Sequence, residues 1–313
     1  MSSTRTKVDE NYIEEIYEEI NEHIEEVQKD FNKDSEAFDN WAKAICQPKY
    51  KLVKNLIYLL EKDEITFKEK HSIFSIFYKL LSINQHVSNQ LKKYNTLPKI
   101  LIDYIIQYKK EYGKNDLSAV STLSYTLDID NYKDLINSDI IEILFESLTL
   151  VRDENDLQYL IKALIDINYI YKDLEDIDKN LFLQVFDKSE NSNLIGEITL
   201  RLLNQEQDIM NILKILFCIK SLMSKEKKGT FYTKDLEAFI DIAIRFLESM
   251  ENNELRCDIL EILIKVTNYE EFGIKYKIEE LKDLMEECSN NDSVSKEAQE
   301  KSILIIDNLK KIG

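Results

Sequence analysis

Chain-breaking residues are nearly absent from this sequence. Two prolines, Pro48 and Pro98, and five glycines occur in 313 residues, about 2% together against an average near 12%. Tight β-turns draw on glycine for positive φ and on proline for a fixed φ, so a fold built from many hairpins is excluded. Leu, Ile, Glu, Lys and Asp dominate, and apolar residues recur at helical spacing almost throughout. The chain is expected to be all-α.

Two consecutive stretches show the pattern well. In the first, Thr233 is placed to cap a helix that carries Leu236, Phe239, Ile240, Ala243, Ile244 and Leu247 on one face. Glu237, Asp241, Arg245 and Glu248 form the opposite, polar stripe. The second starts near Glu254, carries Leu255, Ile259, Leu260, Ile262, Leu263 and Val266, and ends at Asn268, with Gly273 in the loop beyond. Two antiparallel helices of this kind cannot bury their apolar faces alone, so neighbours must stack on both sides.

Further helices centre on Leu56, Phe77, Leu91, Ile105, Leu123, Leu144, Leu160, Phe182, Leu202, Leu213, Leu281 and Ile305. Their starts recur at roughly 20-residue steps, so a helix pair takes about 40 residues, the armadillo and HEAT period. Short polar loops separate them, at 113–116, 152–155 and 189–192, and no linker rich in Pro, Gly or Ser divides the chain. An armadillo/HEAT-like α-solenoid of stacked helix pairs, continuous over 1–313 as one domain, is the expected architecture. Near the start, Ile13, Tyr17, Ile20, Ile24, Val27 and Phe31 alternate in steps of four and three on a strongly acidic helix within 1–35. That helix reads as a cap on the solenoid, or as a protruding arm or a dimer seam. The seam is short for a stable dimer, so a monomer is expected.

The formal net charge is −18, which disfavours nucleic acid and anionic membranes and favours a partner with a basic patch. Solvated acidic helix faces also serve solubility. Cys46, Cys218, Cys257 and Cys288 lie far apart without CxxC spacing, as reduced thiols of a cytoplasmic protein do. The N-terminus has no apolar signal core, and no run approaches a membrane span. His23, His71 and His86 stand apart from any cluster with metal-ligand spacing, and no nucleotide-loop, nucleophile-elbow or zinc-protease motif occurs. Neither enzymatic activity nor a cofactor is expected.

The order of residues carries more than their periodicity. FYTKDLEAFIDIAIRFL (231–247), NELRCDILEILIKVTNY (253–269), then YK (276–277) before another helix, resemble the C-terminal armadillo-like domain of the WISH/DIP family. Upstream, LIGEITLRLLNQ (194–205) and LKILFCIKSLMS (213–224) are similar to that domain's preceding helices, so the likeness centres on 190–285. The sequence departs from the family pattern at Lys234 and in 218–222. Animal members also carry an SH3 domain and a proline-rich segment, which this sequence lacks, so adaptor contacts are not implied.

The resemblance implies binding to the actin-related protein 2/3 complex and its activation without a pre-existing filament, giving unbranched filaments in the actin-rich cytoplasmic cortex. Activators of the other kind end in an acidic tail near a Trp. Here the single Trp is Trp41 and the sequence ends in LKKIG, so that route is expected to be absent. The candidate partner-binding residues are Arg201, Asn204, Tyr232, Asp235, Asp241, Arg245 and Arg256. Each has a local reading too. Asp241 and Arg245 are spaced for an intrahelical ion pair, Asn204 for a helix C-cap, and Tyr232 with Asp235 for a loop-to-helix corner. Arg256 is placed to meet either the preceding helix or the partner. The rival functions are a generic armadillo/HEAT scaffold for basic peptides or helices, and a regulatory subunit of an enzyme assembly.

Overall fold

The computed structural model describes residues 51–62, 65–83, 85–128, 132–249, 252–268 and 276–312. The acidic helix expected within 1–35 lies outside them, as do His23, Trp41, Cys46, Pro48, Tyr269 and Gly273. Fourteen α-helices and two 3₁₀ turns make up the described residues, with no strand among them. The all-α, helix-pair architecture expected from the scarcity of breakers is what forms. By contacts the chain divides at Ala163 and Leu164 into two compact units.

In the first unit, α1 (Lys51–Leu60), α2 (Phe67–Ile83), α3 (Gln85–Leu91), α4 (Leu97–Tyr112), α5 (Leu117–Thr126) and α6 (Ser138–Ser147) precede α7 (Glu154–Tyr169), within which the boundary falls. Pro98 sits in the first turn of α4, where its missing N–H costs nothing. Gly113 ends that helix at φ 66°, its N–H donating to the carbonyl of Lys109 at 2.9 Å, the left-handed cap that glycine adopts without a Cβ penalty. Asp116 then starts α5. Its Oδ1 accepts from the N–H groups of Ser118 and Ala119, and its Oδ2 from His71 Nδ1–H at 2.6 Å and Tyr104 O–H at 2.7 Å. A carboxylate only 4% exposed is tolerable because these donors replace its water. Burial pushes the Asp116 carboxyl up, but the bonds from His71 and Tyr104 outweigh it and leave the group below its ordinary value.

In the second unit, α8 (Leu181–Lys188) is followed by three helix pairs: α9 (Ser192–Gln205) with α10 (Ile209–Ser224), α11 (Thr233–Ser249) with α12 (Asn253–Asn268), and α13 (Ile278–Asn290) with α14 (Lys296–Ile312). The first helices of the pairs start at 192, 233 and 278, so 41 and 45 residues apart, which is the repeat length read from the sequence. They stack as two layers, α9, α11 and α13 in one and α10, α12 and α14 in the other. All six apolar positions expected on α11 and all six on α12 are buried. Each such side chain contributes about 1.5–3 kcal/mol by leaving water. Truncating Phe239, 1% exposed, would cost about 3–5 kcal/mol through the cavity it leaves. Side-chain caps set the helix starts: Asn180 for α8, Asp208 for α10 and Asn252 for α12. Lys227 closes the end of α8, its ammonium donating to the carbonyls of Phe186, Asp187 and Ser189, a cation where the helix dipole is negative.

Candidate partner-binding surface

Gly196, in the second turn of α9, lets that helix approach the backbone of the loop before α11. A Cβ built there would stand 2.1 Å from the Thr230 carbonyl oxygen, so only hydrogen fits. The loop continues through buried Phe231 to Tyr232, 58% exposed, and α11 begins at Thr233. Thr233 is therefore inside the helix and is not its cap. The corner is closed from the other side: Asp235 Oδ2 reaches back to accept from the Tyr232 N–H at 2.8 Å, the reciprocal half of a capping box. Tyr232 and Asp235 thus do fix the corner, and the Tyr232 ring still faces solvent.

The polar stripe of α11 forms as expected, with Asp241, Arg245 and Glu248 exposed. The expected pairing within it does not. Asp241 accepts from the Tyr276 hydroxyl at 3.1 and 3.2 Å and pairs with Lys277 at 3.1 Å, so its partners come from the turn before α13. Lys277 also pairs with Glu280 at 3.2 Å and holds a left-handed φ of 51°, a conformation that costs a non-glycine residue about 1 kcal/mol. The hydrogen bond to Asp241 raises the Tyr276 hydroxyl above its ordinary value.

Arg245 turns instead toward α9. Its Nη2 donates to the backbone carbonyl of Asn204 at 3.5 Å, and its guanidinium lies 5.2 Å from the ring of Phe246. Asn204 stands one residue before the end of α9 with its side chain exposed, so in this structure the residue meets Arg245 through its main chain. One turn earlier Arg201 is paired with Glu197 at 2.8 Å. Arg201, Asn204, Arg245 and Asp241 therefore share the layer of α9, α11 and α13. Arg256 is on α12, in the other layer, where Nη1 donates to Asn253 Oδ1 at 3.4 Å. Five exposed or half-exposed ionic groups (Glu197, Arg201, Asp241, Arg245, Lys277) with rotatable side chains suit a polar protein contact. Among the described residues, no group of His, Cys, Asp and Glu is arranged to hold a metal ion.

The opposite layer carries a denser charge ladder that the sequence reading did not single out. Lys214 pairs with Asp166 at 2.8 Å. Lys220 bridges Asp258 at 3.3 Å and Glu261 at 3.1 Å, and Lys301 continues to Glu261 at 3.9 Å and Glu297 at 2.8 Å. Burial lowers Lys220 but its two carboxylates outweigh that and raise it, whereas burial keeps Asp258 above its ordinary value even beside Lys220. The links from Lys220 to Asp258 and Glu261 and from Lys301 to Glu261 join α10, α12 and α14 at spacings of 38 to 41 residues, one repeat length, which is the only sequence signal that could have pointed to them.

A search of curated proteins finds no match. The family model described as SPIN90/Ldb17, leucine-rich domain, matches residues 153–281. That stretch runs from the start of α7 into α13 and contains all seven candidate residues. Over those residues, less than half of its length, the chain matches the SPIN90/Ldb17 leucine-rich domain family, the one its residue order resembles.

Proposed function

We propose that the chain binds the actin-related protein 2/3 complex through the α9–α11 surface and shifts it to its active arrangement, so that unbranched filaments start without a pre-existing one. The observation that carries this reading is the family match over 153–281, which coincides with the helix pairs that expose Arg201, Asn204, Asp241 and Arg245. The action is one of binding, not catalysis, and its setting is the actin-rich cortex of the cytoplasm.

The energetic requirement is differential affinity. A ligand shifts a conformational equilibrium only by the margin with which it prefers one state, and moving a complex from 1:99 to 99:1 takes about a 10⁴-fold preference. Packed helix pairs are suited to this because their surface is formed before the partner arrives, so little ordering entropy opposes binding. No described helix is long and apolar enough to cross a membrane, which suits a partner met away from the bilayer interior. The test is capture of the complex from cell extract by the chain and by its Arg245→Glu variant. Retention by the wild type and loss by the variant support the reading. Capture of other proteins without the complex would favour a generic scaffold.

A further inference from the structure

On the layer away from Arg245, a cavity of about 190 Å³ opens between α10, α12 and the stretch 171–180. Its floor includes Phe217, and its rim carries Leu174 and Ile177, 39% and 42% exposed. Three lysines line it, Lys172, Lys220 and Lys265, against one carboxylate, Glu261. On a chain of net charge −18 such a local excess of cations is unusual.

The lysines differ in what neutralises them. Lys220 already has Asp258 and Glu261, and Glu261 is shared further with Lys301. Lys172 lies over the ring of Tyr169, 4.9 Å from its centroid. Lys265 is half-buried, and its ammonium donates to neutral oxygens, the Lys220 carbonyl at 3.3 Å and the Ser224 hydroxyl. Burial lowers its pKa although Glu261 pulls the other way. A desolvated ammonium held by neutral acceptors gains most from an anion that enters the same space. The aliphatic rim points to an anion carried on a polypeptide, because Leu174 and Ile177 can bury only against an apolar neighbour of the charged group.

We propose that this cavity takes an acidic side chain of a partner polypeptide, with Lys265 as its counter-ion and Leu174 and Ile177 packing against the aliphatic residue beside it. The inference rests on α10 and α12 and is independent of the α9–α11 surface and of the actin reading.

The test needs no partner protein. N-acetyl-leucyl-glutamate amide and its neutral counterpart N-acetyl-leucyl-glutamine amide are titrated into the full chain. Binding is followed by the methyl resonances of Leu174 and Ile177 and the amide resonances of Ser224 and Lys265. The expected result is saturable shifts at these four residues, with the glutamate probe binding about tenfold more tightly than the glutamine probe, the scale of one charge-assisted hydrogen bond. Lys265→Met should abolish that difference while Lys265→Arg, which keeps the cation, retains it. Equal response to the two probes, shifts confined to other residues, or no shift at millimolar probe would overturn the proposal. So would a preference that survives in Lys265→Met. The wild-type arm decides even if a variant fails to fold.

Discussion

Replacing Gly196 by alanine sets two effects of opposite sign against each other. Alanine in a helix interior is favoured over glycine by about 1 kcal/mol, and on propensity alone the change would stabilise α9. The structure says otherwise. The new methyl would stand 2.1 Å from the Thr230 carbonyl oxygen, 3.1 Å from its carbon and 3.2 Å from Phe231 Cδ1. The nearest atoms are backbone, and Thr230 is only 3% exposed, so no side chain can swing away. Relief requires α9 and the loop to separate by about 1 Å, and forcing a methyl into a packed site costs about 1–3 kcal/mol. With the obstruction in the main chain, the upper part of that range applies, leaving a net loss of about 1–2 kcal/mol. At about 2–4 °C per kcal/mol for a unit of this size, thermal denaturation should show a melting temperature lower by about 2–8 °C. Gly113→Ala is the companion measurement. Nothing lies within 4 Å of that added Cβ, but φ is 66°, so the loss there comes from conformation and should be about 1 kcal/mol. A Gly196→Ala protein that melts at or above the wild-type temperature would refute the close approach of α9 to the loop.

Three further outcomes follow from particular contacts. Arg245→Glu and Asn204→Ala leave the apolar faces intact, so denaturation should move by no more than about 0.5 kcal/mol, while affinity for the actin-related complex should fall by about 1 kcal/mol or more. Unchanged affinity in both would move the contact elsewhere. Asp235→Ala removes the acceptor for the Tyr232 N–H and should cost about 0.5–1 kcal/mol in denaturant titration; no change would show that the corner is held by packing alone. The hydrogen bond to Asp116 raises the His71 pKa above its ordinary 6.5. Its stabilising contribution is therefore complete below 6.5 and is lost as pH rises through the raised value. His71→Gln should flatten that decline in melting temperature on the alkaline side of neutrality, and an unchanged slope would count against the His71–Asp116 pair.

Local order was open to sequence reading because helical periodicity is a property of neighbours. Each of the fourteen helix centres from Leu56 to Ile305 falls within one of the fourteen described α-helices, and the apolar residues assigned to α11 and α12 are the ones that bury. What escaped depends on residues far apart in the chain. The i,i+4 spacing of Asp241 and Arg245 suggested a pair, but spacing permits a contact without choosing it, and Tyr276, 35 residues on, holds Asp241 instead. Thr233 had the chemistry of a cap, yet Asp235 bonding back to Tyr232 places the helix start one residue earlier than a Thr233 cap would. Gly196 was visible as a letter within a family-like stretch, but its reason is a backbone that arrives from Thr230. His71 stands apart from any metal-ligand cluster in the sequence, and it is half-exposed. Its bond to the buried Asp116 could not be inferred across 45 positions. Of the seven candidate residues, Arg201, Asn204, Asp235, Asp241 and Arg245 share the α9, α11 and α13 layer, Tyr232 stands just before α11, and Arg256 belongs to the other layer.

On the proposed function, this chain starts actin filaments through the actin-related protein 2/3 complex without needing an existing filament. Time-resolved imaging of fluorescent actin monomers with purified complex and the full chain, with no filament seeds added, tests it most directly. The expected result is an early burst of linear filaments that requires both the complex and the chain and that Arg245→Glu reduces. Assembly no faster than with the complex alone, or new filaments arising only as branches on older ones, would contradict it.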